Sequence, residues 1–138
     1  MGHAELPDLL NRFESLEIAP GDFHHDDHVY VAFAMLEKYD YVTACTNYAK
    51  TIRKMAESVG VPEKFNATIT FAFVSLIAER LTRTEGSGLT EFLEQNPDLL
   101  DASVLSQWYS KDRLTSATAR RQFLLPDRVA ASRLGQAR

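Results

Sequence analysis

The sequence predicts an all-α, single-domain helical bundle, and three observations carry that prediction. Apolar residues recur three and four positions apart along most of the chain, while the strict alternation of a half-buried strand is nearly absent. Proline and glycine punctuate the pattern at helix-length intervals, at Pro20-Gly21, Gly60–Pro62, Pro97 and Pro126. The 138 residues are 45% apolar and 25% charged, ordinary globular composition and enough chain for one core.

Taken in order, residues 5–17 form a short helix through Leu6, Leu9, Leu10, Phe13 and Leu16, broken by "APGD" at 19–22. A second helix runs from about Asp22 to Tyr39, with Val29, Ala32, Phe33 and Leu36 along one side. A third, Tyr41 to Val59, carries Val42, Cys45, Ala49, Ile52, Ala56 and Val59, and Gly60 ends it as a left-handed cap. The fourth is the apolar helix near 63–83, Glu63 to Arg83; apolar nearly all round, it is expected at the centre. "TEGSG" at 84–88 connects it to short C-terminal helices: two parted at Pro97 and one stopped by Pro126. Leu99, Leu105 and Trp108 read as core. The domain spans 1–138, with 128–138 expected as a loosely ordered basic tail. Short connections make neighbouring helices antiparallel, so the second and fourth helices should start at the same end of the bundle.

Composition also narrows the function classes. No apolar run approaches the roughly 20 residues of a membrane span, and the N-terminus lacks the pattern of a signal peptide. Leu6 stands where a myristoylation signal wants Ser or Thr. The lone Cys45 allows no internal disulfide and fits a cytoplasmic protein; in an apolar stripe it reads as a small hydrophobe. The net charge of −4 is uneven. Residues 111–138 hold seven basic against two acidic residues, +5, leaving eight against seventeen elsewhere, −9. Without interleaved aromatics and with an acidic body, nucleic acid is not the expected partner, nor is a membrane. No nucleophile elbow, P-loop, C-x-x-C or dinucleotide fingerprint is present.

The chemistry-bearing stretch is "GDFHHDDHVYVAF", residues 21–33, which holds three of the four histidines. On a helix, His25 and His28, or His24 and His28, are close enough to chelate one ion. His25 and His28 lean toward the packed side; His24 and Asp27 lie nearer the rim, and Asp26 points outward. The helix start disfavours imidazolium and so keeps the rings available as neutral ligands. Asp22 is a candidate N-cap, and Asp26 and Asp27 suit the first turn or could hold the outer nitrogen of a ligating His. The plainer alternative is routine capping beside a solvated histidine patch. Asn66, in line with Ile69, Thr70 and Phe73, points inward toward the same end. It could bond a ligating His, offer its carbonyl oxygen to a metal, or cap nearby backbone.

Three motifs stand together: Phe23, His25, His28 and Val29; Lys64, Phe65, Asn66, Thr68, Ile69 and Thr70; and Tyr109, Ser110, Leu114, Ser116, Ala119 and Arg120, running into Pro126 and Asp127. Over about residues 23–127 they resemble a family of small bacterial helical proteins with F-x-H-x-x-H-V, K-[YF]-H-x-T-I-T and Y-S-x-x-x-L-x-S-x-x-A-R patterns. The resemblance implies a three-histidine site completed from mid-chain. This chain departs there, with Asn66 in place of His, and an amide oxygen is a poorer ligand for zinc, copper or iron. His24 is the candidate replacement.

Two functions follow from these residues. One is a small metal-dependent enzyme, a hydrolase, lyase or non-haem oxygenase, working between the starts of the second and fourth helices on a small acidic metabolite. In it His25, His28 and His24 hold a divalent zinc or iron ion, Asp27 or Asp22 is the general base, and Tyr109 and Arg120 orient the substrate with Asn66, Thr70 and Arg113. Arg113 and Arg120 share a face if one helix holds both; each could equally pair with surface carboxylates. The other is a non-catalytic helical module with a metal- or pH-responsive histidine patch, recruiting a partner or pairing with a second copy as a homodimer.

Overall fold

The computed structural model describes residues 5–84, 86 and 88–128. Among them every regular element is helical: α1 (Leu6–Glu14), α2 (His25–Lys38), α3 (Tyr41–Ser58), α4 (Ala67–Leu81), α5 (Leu89–Gln95), α6 (Lys111–Leu114) and α7 (Ala117–Arg121), with 3-10 turns between. The all-α expectation holds. Of the tail, only Arg128 falls within the described residues, its backbone N–H and guanidinium donating to the carbonyls of Trp108 and Ser106.

Local chemistry sets the helix ends, in places differently from expectation. α1 stops at Glu14 rather than 17, because Leu16 adopts φ 59° and Glu17 N–H closes back onto the Arg12 carbonyl. α2 starts at His25, not Asp22. Asp22 ends a separate turn begun by Pro20, and the Asp27 carboxylate accepts from His24 N–H at 3.0 Å, which makes His24 the cap. Asp40 caps α3 by accepting from Thr43 N–H, and Gly60 at φ 74° takes the left-handed position after the helix. α4 begins only at Ala67, since Pro62–Lys64 form their own turn and Asn66 Oδ1 caps by accepting from Ile69 N–H at 2.8 Å.

α2 packs against α1, α3 and α4, and α4 packs in turn against α3 and α7. Val29, Val31, Ala32 and Met35 of α2 are fully buried, so α2 shares the centre with α4, whose Ile69 is exposed. On α3 the buried side runs through Ala44, Cys45, Tyr48, Ala49 and Met55, leaving Val42 and Val59 in solvent. Leu99 and Leu105 are core as expected; Trp108 is half-buried.

The C-terminal helices are shorter than expected. Ser110 and Ser116 each cap a helix with the hydroxyl, so the chain breaks at Thr115 into α6 and α7. Residues 122–128 then cross back as an extended strap. Thr68 Oγ1, fully buried, donates to the Gln122 carbonyl and accepts from Leu124 N–H; Tyr109 donates to the Leu124 carbonyl; Asp127 accepts from the Ser110 backbone and hydroxyl.

Candidate functional site

The starts of α2 and α4 face one cavity of about 230 Å³. His25 and His28 enter it from α2, Tyr48 and Ile52 from α3. Lys64, Asn66, Ile69, Thr70 and Phe73 come from the α4 side, and Ala102, Val104 and Leu105 close it. The polar groups sit against apolar walls, the usual make-up of a small-molecule site.

Each imidazole is oriented by its outer nitrogen. His25 Nε2 lies 2.8 Å from the Leu99 carbonyl, which can only accept, so that nitrogen carries the proton and Nδ1 keeps its lone pair. The His25 ring rests on Phe73, centroids 5.3 Å apart. His28 Nδ1 lies 2.8 Å from the Tyr48 hydroxyl. That hydroxyl has no other acceptor among the described residues, so satisfying it assigns the phenol as donor and leaves the His28 proton on Nε2. Phe23 packs edge-on against the His28 ring at 4.5 Å. Burial, together with the neighbouring His25 and against the pull of Asp27, lowers the His28 pKa to about 4, so the ring is neutral at pH 7. Burial alone pushes the Tyr48 phenol up, well away from ionisation.

The other polar walls are committed. Asn66 Nδ2 donates to the Leu114 carbonyl at 2.6 Å while its oxygen caps α4, and Thr70 Oγ1 donates to the Asn66 carbonyl. Asn66 thus faces the histidines but serves backbone at both ends of its amide. Among the described residues, the imidazole nitrogens on the cavity lining without a protein hydrogen bond are His25 Nδ1 and His28 Nε2, and Lys64, an exposed residue at its border, makes no hydrogen bond or ion pair.

Several candidate residues lie elsewhere. His24 is exposed, outside the cavity lining, and Asp27 is spent on the cap of α2. Asp22 is exposed in its own turn. Tyr109 and Arg113 hold the strap, Arg113 Nε donating to the Leu125 carbonyl, and Arg120 is exposed and bonds to the Thr115 carbonyl. Because α6 and α7 are separate, Arg113 and Arg120 do not share a helix face. Conversely, sequence reasoning passed over Tyr48, although its spacing of three from Cys45 and four from Ile52 marks it as inward.

A larger, open groove of about 590 Å³ follows the second half of α4. Its cations are already paired: Arg80 makes a bidentate bridge to Asp98 at 2.8 and 2.9 Å and donates to Asn96, and Arg83 pairs with Glu79. The smaller cavity is the better candidate because one nitrogen of each of its two imidazoles remains uncommitted.

Cys45 is buried and its thiol is pushed up by burial, as befits a packing residue. No helix is long and apolar enough to cross a membrane among the described residues. They also contain no cluster of three or more His, Cys, Asp or Glu placed to hold a metal ion. Comparison with protein-family models, curated proteins and solved structures finds no match for this chain.

Proposed function

We propose that the protein is a small enzyme, cytoplasmic and of the bacterial family that its three motifs resemble, acting on a small acidic metabolite in the cavity between α2 and α4. The observation that carries this reading is the presence of an imidazole acceptor, His25 Nδ1, and an imidazole donor, His28 Nε2, on the lining of one cavity that the exposed Lys64 also borders. Lys64 draws the acid group. His25 accepts a proton from the bound substrate, and the His28 N–H steadies the negative charge left behind. Phe73, Ile52 and Val104 supply apolar wall beside that exchange.

A divalent ion is the second form of the proposal, favoured by the way both outer ring nitrogens are anchored, as metal-ligating histidines usually are. His25 fits as it stands. His28 fits once its proton moves to Nδ1 and the Tyr48 phenol turns to accept it. The chain then supplies two ligands and the substrate or water the rest; such an ion would act as a Lewis acid toward the substrate's oxygen. The non-catalytic alternative is favoured by one fact: among the described residues, no carboxylate lines the cavity.

The test is histidine-ring NMR on tag-free protein titrated with acetate, 2-hydroxypropanoate and 2-oxopropanoate, then with zinc. Shifts of both rings by an acid, weakened in His25→Ala and Lys64→Met, support the site. Rings unmoved by any of them at several millimolar overturn it. Zinc binding equally tight in wild type and His25→Ala removes the metal form.

A further inference from the structure

A second cavity, of about 340 Å³, adjoins the first and shares three of its walls: His28, Ile52 and Lys64. Its remaining surface comes from the Pro20–Gly21 turn and from Phe23, Met55, Ala56, Val59 and Val61. None of those side chains carries a nitrogen or oxygen, so among the described residues the polar side chains it meets are the two it shares with its neighbour.

The two cavities therefore make complementary demands on one ligand. The first offers an acceptor at His25 Nδ1 and a donor at His28 Nε2, the valences of a hydroxyl group, which donates and accepts at once. Lys64, on the wall between, asks for a carboxylate. The second offers mainly apolar contact. A hydroxyl for the histidines and a carboxylate for the wall fit a 2-hydroxy acid, where the two groups sit on adjacent carbons. Its third substituent, the side chain, is left for the second cavity.

Resting on the reading of the first cavity given above, we infer that the ligand is a 2-hydroxycarboxylate with an apolar side chain of about four carbons, the chain lying between Phe23 and Met55. A simple carboxylate leaves both imidazoles unanswered; an alcohol leaves Lys64 unanswered; a short 2-hydroxy acid leaves the second cavity without apolar contact. Burying a methylene is worth about 0.8 kcal/mol, which is about three- to fourfold in affinity. Three added methylenes should therefore tighten binding at least about tenfold even if each is only partly covered.

The experiment compares 2-hydroxypropanoate with 2-hydroxyhexanoate on the full chain by calorimetry, with hexanoate as the probe lacking the hydroxyl. The expected result is at least tenfold tighter binding of 2-hydroxyhexanoate than of either other acid. In Ala56→Leu, which fills the second cavity, that ratio to 2-hydroxypropanoate should shrink to under about threefold. The ratio is the reading, so a general weakening of the variant does not decide it. If Ala56→Leu folds poorly, magnetisation transfer in wild type between the ligand's terminal methyl and the protons of Phe23 and Met55 takes its place. A ratio under about twofold in wild type overturns the inference, while histidine-ring shifts with 2-hydroxypropanoate would still uphold the first cavity. Absence of binding by either hydroxy acid overturns both.

Discussion

The Nδ1 of His28 and the hydroxyl of Tyr48 lie 2.8 Å apart, joining the start of α2 to the middle of α3. The bond satisfies a buried phenol and holds the ring of a half-buried imidazole in place, so one contact serves the core and the site together.

The burial of His28, with His25 beside it, predicts a pH dependence in chelator-treated protein. The folded-state pKa of His28, about 4, lies below the ordinary 6.5. As pH falls, the unfolded chain takes up the proton first. The stability this group contributes is therefore complete above about pH 7 and is lost as pH falls toward 4, by up to about 3 kcal/mol. Denaturant midpoints for wild type and His28→Asn across pH 4–7 check this. Wild type should lose stability faster than the variant on acidification, and parallel curves would show that His28 protonates in the folded state without penalty.

Asn66→His tests whether position 66 can join the two histidines on one ion. Position 66 faces both histidines, so a third imidazole should tighten zinc binding at least about tenfold. The same change removes the cap of α4 and the donor to the Leu114 carbonyl, at a cost of about 1–3 kcal/mol in the metal-free protein. Calorimetric zinc titration of the two proteins, with thermal melts, reads both effects. An unchanged zinc affinity would mean that a side chain at 66 cannot meet His25 and His28 on one ion.

Phe73→Ala should cost about 3–5 kcal/mol, because Phe73 is buried in α4 and seats the His25 ring. Chemical denaturation measures it. A loss below about 1 kcal/mol would show that the ring contributes little to the core.

Thr68→Val keeps the shape of the side chain but deletes both strap bonds, leaving the Gln122 carbonyl and Leu124 N–H without their partner. We expect a loss of about 1–3 kcal/mol and faster hydrogen exchange at Leu124. Exchange at wild-type rate would mean that the remaining contacts, from Tyr109 to the Leu124 carbonyl, Arg113 to the Leu125 carbonyl and Asp127 to Ser110, suffice to hold the strap.

The helices and most of their apolar faces were legible in the chain because their causes are local. A three-four apolar spacing makes α3 amphipathic, Gly60 ends it and Asp40 begins it, all within a few residues of where they act. His25 and His28 could be placed on the inward side of α2 by the same spacing. Their partners could not: the Leu99 carbonyl is 74 positions from His25, and the Leu114 carbonyl is 48 from Asn66. Tyr109 and Arg113 looked like groups for a substrate because their residue types suit one, yet both end on carbonyls of the strap. A side chain declares its chemistry wherever it stands in the sequence. A backbone carbonyl is the same at every residue, so which one meets His25, Asn66 or Tyr109 is decided only when the helices pack.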